Sequence, residues 1–201
     1  MIIAPLRLGI AGLGTVGVGV LKMINKNASL ISLRTGRDVI VTAVSARSRS
    51  KDRGISLSGL AWENDPIALA MREDVDVFVE LIGGSDGPAK DATEAAIAAG
   101  KDVVTANKAM LAVHGQSLAL AAESAGRAIR FEAAVAGGIP VVKALSEGLA
   151  GNKINRILGV MNGSCNYILT RMETSGLTYE DIFAEANALG YLEADPNLDV
   201  G

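Results

Sequence analysis

Short apolar runs alternate with amphipathic segments through about the first 130 residues of the chain. Leu6 to Ala11 is apolar enough for a buried strand, and Val18 to Ile24 reads as the helix that follows it. A second strand is predicted over Val39 to Val44, then a polar loop from Ala46 to Gly59 and a short helix from Pro66 to Met71. Val75 to Ile82 reads as a strand ending at Gly83-Gly84. The alanine-rich residues 89–99 predict a helix capped by Gly100. Lys101 to Thr105 forms another strand, which runs on through Ala106-Asn107 to end at Lys108. A helix over Gln116 to Ser124 and a strand over Ala128 to Glu132 complete the pattern. Repeated units of this kind predict an α/β fold with a doubly wound, mostly parallel sheet.

The character changes after Gly137-Gly138. Ile139-Pro140 opens a helix to about Leu149, Ile154 to Met161 reads as a strand, and Tyr167 to Met172 and Tyr179 to Leu189 read as helices. The pattern divides the chain into a domain at 1–137 and the opening of a second, α+β domain at 138–201.

The first strand and first helix flank Gly12-Leu13-Gly14-Thr15-Val16-Gly17, a G-x-G-x-x-G turn. In this context the spacing predicts a Rossmann-type dinucleotide site. Gly12 makes the tight turn, Gly14 lets backbone approach a pyrophosphate, and Gly17 lets helix and strand pack closely. The helix N-terminal N–H groups then hold the anion. An NAD site usually carries an acid near the end of the second strand. Here Ser45 to Lys51 has none before Asp52. Arg47 lies in the right zone for a 2′-phosphate, with Arg49 or Lys51 as helpers, which favours NADP and leaves NAD open; the alternative is a solvated basic loop.

Composition narrows the alternatives. Apolar residues make up 49% of the chain but aromatics only 3%, so the core is built from Ala, Val, Leu and Ile, as suits a helix-covered parallel sheet. The net charge of −3, without a cationic block, argues against nucleic acid as a partner. Arg7 and Lys22 bracket only 14 uncharged residues, too few to span a membrane. A lone cysteine, Cys165, allows no internal disulfide and points to a reducing, cytoplasmic setting. His114, the sole histidine, reads as structural or exposed. Lys108, expected beyond a strand's carboxyl end, is either placed to meet substrate or cofactor and to stabilise developing negative charge, or is a surface lysine starting a helix. Glu193, Asp195 and Asp199 around Pro196 form either a solvated turn or an anionic site for an amino group.

Taken together, several segments resemble homoserine dehydrogenases. They are the glycine-rich turn, Glu80 to Gly84, Thr105 to Lys108, Glu132 to Pro140, Glu147 to Asn152, Asn162 to Leu169 and Gly190 to Pro196, all in the family's order. The resemblance implies reversible interconversion of L-homoserine and L-aspartate 4-semialdehyde with NAD(P), in threonine and methionine biosynthesis. It places Gly83 at the cofactor and Lys108 beside nicotinamide and substrate. Glu193 would bind the substrate amino group, with Ser164 and Tyr191 in the same pocket and Asp199 near the reacting end. Backbone carbonyls of Glu132, Val135, Gly137 and Ile139 match a family sodium site. The second domain becomes a substrate and dimerisation domain, giving a homodimer at full length. Family members continue past the position of Gly201 with the proton-donating lysine, so these 201 residues are expected to be an inactive part of the enzyme. Two other readings remain at this stage: another NAD(P)-dependent reductase of an amino-acid-derived carbonyl, and a non-catalytic nucleotide-binding module.

Overall fold

The computed structural model describes residues 3–159, 162–189 and 191. The chain divides into two compact units, residues 1–149 and 150–201.

Within the first unit lie β1 (Leu6–Ala11), α1 (Thr15–Lys26), α2 (Ala28–Thr35), β2 (Val39–Ser45), β3 (Ala61–Glu63) and α3 (Pro66–Met71). They are followed by β4 (Val77–Glu80), α4 (Pro88–Ala98), β5 (Asp102–Thr105), α5 (Lys108–Ser124) and β6 (Ile129–Arg130). A 3₁₀ turn follows at Glu132–Ala134. The short α6 (Val141–Lys143) then runs into a π-helical turn over Ala144–Gly148. Six strands form one sheet in the order β3-β2-β1-β4-β5-β6, each neighbouring pair running parallel. The order reverses between β1 and β4. In open α/β sheets that reversal opens the ligand crevice beyond the strands' carboxyl ends.

Alternation along the strands builds a core on each face, because successive side chains point to opposite sides. Leu8, Ile10, Val44, Val77 and Val79 pack on one side with Leu13, Leu21 and Ile24. Gly17, Leu21 and Ile24, at helical spacing, are the buried face of α1. Ala11, Ala43, Phe78 and Val103 pack on the other side with Ala89, Ala92 and Ala96 of α4 and Met110 and Leu118 of α5. The alanines let α4 lie close to the sheet. At the opposite end of the strands, Arg7 of β1 grips Asp76, just before β4, through its backbone N, Nε and Nη2.

Three expectations are corrected here. Lys108 does not end β5 but is the first residue of α5, because the Asn107 side chain accepts from Met110 N and starts the helix. The strand expected over Ala128 to Glu132 is reduced to Ile129–Arg130, since Glu132 opens the 3₁₀ turn. Residues 153–159 form no strand, although Ile154 to Met161 is expected to be one; the apolar side chains of Ile157 and Leu158 are exposed. Helix α5 also begins eight residues before the predicted Gln116, and α2 and β3 carried too weak a pattern to be foreseen.

In the second unit the described elements are α7 (Gly163–Ser175) and α8 (Tyr179–Ala188). Ile168 meets Ile182 and Ala186 in a small core that Tyr167, Met172 and Phe183 extend. Asn162 caps α7 and Thr178 caps α8, each accepting from a first-turn N–H. The wider span of α7 than the predicted Tyr167 to Met172 follows from that cap.

Candidate dinucleotide site

The glycine-rich turn follows β1, and its three glycines meet different constraints. Gly12 has φ +100°, and a Cβ there would fall 2.3 Å from the Leu81 carbonyl oxygen. A Cβ on Gly17 would fall 2.0 Å from the Gly12 carbonyl oxygen. Both positions therefore require glycine for the fold itself. Gly14 differs, having φ −79° and no atom within 4 Å of the position a Cβ would take. Its missing side chain clears space in front of the α1 N-terminus, where no side chain caps the helix and no acid stands in the first turn. This exposed cradle fits an anionic group. Thr15 and Val16 are exposed there, whereas the Leu13 side chain is buried in the core.

Two neighbouring strand ends shape the crevice. Gly12 N donates to the Ser45 carbonyl at the end of β2, 2.8 Å away. Arg47 is exposed two residues beyond Ser45. The polar loop that carries it folds back through Arg53, whose Nε donates to the Leu13 carbonyl. A depression of about 330 Å³ beside the turn is lined by Gly14, Thr15, Lys22, Lys51 and Arg53, among others.

On the far side of the strand-order reversal, Glu80 ends β4 fully buried. Its Oε1 accepts from Ile82 N at 2.7 Å and Gly83 N at 3.1 Å, and its Oε2 from Thr105 Oγ1 at 2.5 Å. Thr105 Oγ1 accepts from Asn107 N, and Asn107 Nδ2 donates to the Gly84 carbonyl at 2.7 Å. The network fixes the Gly83-Gly84 loop, both of whose residues have positive φ. It also fixes the start of α5, where Lys108 is exposed. Sequence reasoning gave Glu80 and Thr105 no role. The available signal was a carboxyl at the end of an otherwise apolar strand, which must be hydrogen-bonded if buried.

His114 is half-buried and bonds Asp86 through Nε2 at 2.7 Å. Hydrogen bonds from Ser85 and His114 hold the Asp86 carboxyl below the usual range.

Farther along, Glu132 Oε2 accepts from Lys143 N, while Oε1 is buried without a hydrogen-bond partner. Nearby Ala136 takes φ +50°, a conformation rare for alanine. The carbonyls of Glu132 and Ile139 accept from Val135 N and Val141 N, and Val135 and Gly137 are exposed. Among the described residues no cluster of three His, Cys, Asp or Glu side chains could hold a metal.

In the second unit, Ser164 Oγ donates to the Tyr191 carbonyl at 2.7 Å. The Tyr191 ring stacks on Tyr167 with centroids 4.6 Å apart. Tyr167 Oη donates to Glu185 Oε1, and Arg171 bonds both Glu185 oxygens. Arg171, then Tyr167, lowers the Glu185 carboxyl from its ordinary range, and that carboxyl in turn raises the Tyr167 phenol. Ser164 and Tyr191 are thus brought together. Glu193 and Asp199 lie outside the described residues.

The strand order, the glycine turn and the open α1 N-terminus define a dinucleotide-binding domain of the Rossmann class. Residues 12–132 match the model of the homoserine dehydrogenase NAD-binding domain, and residues 140–201 that of homoserine dehydrogenase. The chain is 48% identical over 196 residues to the homoserine dehydrogenase of Neisseria gonorrhoeae and 45% identical to that of Pseudomonas aeruginosa. Each alignment covers 98% of this chain, and 45% and 44% of the respective relative. A homoserine dehydrogenase structure from Thiobacillus denitrificans superposes with a TM-score of 0.89 at 43% identity, covering 98% of this chain and 45% of that one. A hyperthermophilic archaeal homoserine dehydrogenase in complex with NADPH gives 0.82 at 27% identity, covering 98% and 65%. The chain belongs to the homoserine dehydrogenase family. It spans a little under half the length of the curated relatives it matches.

Among the described residues no helix is long and apolar enough to cross a membrane.

Proposed function

We propose that these residues are the nucleotide-binding domain, 1–137, and the opening of the substrate and dimerisation domain, 138–201, of an enzyme interconverting L-homoserine and L-aspartate 4-semialdehyde. The carrying observation is the cradle at Gly14, open toward an uncapped helix N-terminus at the sheet's switch point. The N–H groups of the first turn of α1 would hold the pyrophosphate of the dinucleotide. Arg47, exposed just past β2 with no acid before Asp52, would pair with a 2′-phosphate, making NADP the preferred cofactor and NAD a weaker one. When bound, the nicotinamide supplies the carbon that exchanges hydride with the substrate.

The chain's own residues do the rest. The Glu80–Thr105–Asn107 network, which holds the Gly83 N–H and the start of α5, would present Gly83 and Lys108 to the same crevice. The Lys108 ammonium would orient the substrate and favour negative charge developing on its oxygen. Glu193 would bind the substrate ammonium, with Ser164 and Tyr191 lining the pocket and Asp199 near the reacting end. A sodium ion on the carbonyls of Glu132, Val135, Gly137 and Ile139 is supported by the unpartnered Glu132 Oε1, since hard cations favour oxygen ligands. At full length we propose a homodimer, and from the lone Cys165 a cytoplasmic setting.

Two measurements test this reading. Titration should show NADPH binding to the 201-residue chain, and the full-length protein should oxidise homoserine and prefer aspartate semialdehyde among amino-acid-derived aldehydes. Absence of dinucleotide binding, or an equal rate on unrelated aldehydes, would overturn it.

A further inference from the structure

The guanidinium of Arg53 bonds three backbone carbonyls, two in its own loop and one 40 residues earlier in the chain. Nε donates to Leu13 O at 3.2 Å, Nη1 to Lys51 O at 2.8 Å and Nη2 to Ser48 O at 2.6 Å. Its Cζ lies 5.6 Å from the centre of the Trp62 ring on β3. Leu13 belongs to the glycine-rich turn, whereas Ser48 and Lys51 belong to the basic loop after β2. Nε thus ties this loop to the turn, while Nη1 and Nη2 brace the loop itself. The rigid planar fork suits that task; a lysine ammonium, a single point of charge, cannot span the same three acceptors.

We infer that Arg53 is a positioning residue for cofactor discrimination, which holds the loop bearing Arg47 beside the glycine-rich turn. The other end of the loop is already fixed, because Gly12 N bonds the Ser45 carbonyl. Arg47 therefore sits in a short span, Ala46 to Ser48, pinned at Ser45 by the turn and at Ser48 by Arg53. Without the second pin, placing Arg47 against a 2′-phosphate would require ordering the loop on binding, which weakens affinity. Arg53 acts on NADPH through Arg47, so the inference rests on the proposed binding mode.

The test is a double-mutant cycle on the 201-residue chain, titrating NADPH and NADH against wild type, Arg53→Ala, Arg53→Lys, Arg47→Ala and the Arg47→Ala/Arg53→Ala pair. Arg53→Ala should weaken NADPH about tenfold, the scale of one charge-assisted hydrogen bond, and NADH less than about threefold. Arg53→Lys should restore little of the loss, and the pair should lose no more than Arg47→Ala alone. A direct phosphate contact would instead show as rescue by Arg53→Lys and additive losses in the pair, and would overturn the inference. Equal losses for NADPH and NADH would also overturn it, as would unchanged binding by Arg53→Ala. Failure of wild type to bind either nucleotide would sink the proposed function itself, and the inference with it.

Discussion

Thr105 donates its hydroxyl proton to the wholly buried carboxyl group of Glu80 across 2.5 Å, joining the carboxyl ends of two neighbouring strands. The same hydroxyl oxygen accepts from Asn107 N, so one side chain serves both the loop after β4 and the start of α5. Thr105→Val keeps the shape but strands a buried acceptor and a buried donor. At about 1–3 kcal/mol for each unsatisfied group, the variant should lose roughly 2–6 kcal/mol. Urea unfolding beside Thr105→Ser, which keeps the hydroxyl, measures this. Equal stability of the two variants would show that the bond contributes nothing.

The glycines of the turn should separate fold from binding. Gly12→Ala forces a Cβ against the Leu81 carbonyl at positive φ and should lower the melting temperature sharply. Gly14→Ala meets no protein atom and should change stability by less than about 0.5 kcal/mol, as surface substitutions do. It should nonetheless weaken NADPH about tenfold or more, because the methyl group enters the space where the pyrophosphate must approach its N–H donors. Unaltered NADPH affinity in Gly14→Ala would place the pyrophosphate elsewhere.

Arg7 holds the Asp76 carboxyl down at about 2, chiefly through the side-chain hydrogen bond and against the opposing effect of burial. The depressed value means the pair stabilises the folded chain fully above about pH 5. That stability disappears as pH falls from there toward 2, where the folded carboxyl takes up its proton. Side-chain exposures of 37% and 31% screen the pair, leaving about 1 kcal/mol. Unfolding of Asp76→Asn and wild type should therefore differ at pH 7 and converge near pH 2. A gap that does not change with pH would assign the effect to packing.

Glu193→Gln, in a protein of the relatives' full length, should raise the KM for homoserine with little change in kcat. This holds if the carboxylate grips the substrate ammonium equally in ground and transition states. Steady-state kinetics at saturating NADP measures the split. A variant with unaltered KM would make the carboxylate a turn residue only.

What the sequence determined follows from local pattern. Apolar runs and glycine punctuation placed β1, β2, β4, β5 and α3 within a residue or two at most ends, because buried strands and capped helices must carry those residues whatever surrounds them. The G-x-G-x-x-G turn was legible for the same reason, since its chemistry lies within six consecutive residues. Lys108 was found but put on the wrong element, because only the Asn107 side chain turning onto Met110 N shows where the helix begins. Ile154 to Met161 reads as a strand from its Ile, Leu and Val residues, yet such residues make a strand only where a partner edge is offered, and residues 153–159 take no strand structure. The strand order was likewise a matter of tertiary pairing. So were the contacts of Glu80 with Thr105 and of Arg53 with Leu13, between residues 25 and 40 positions apart. A buried carboxyl and a three-pronged guanidinium can be read from the sequence only as isolated polar residues. Their partners are backbone and side-chain atoms that the folded sheet alone brings within hydrogen-bond distance.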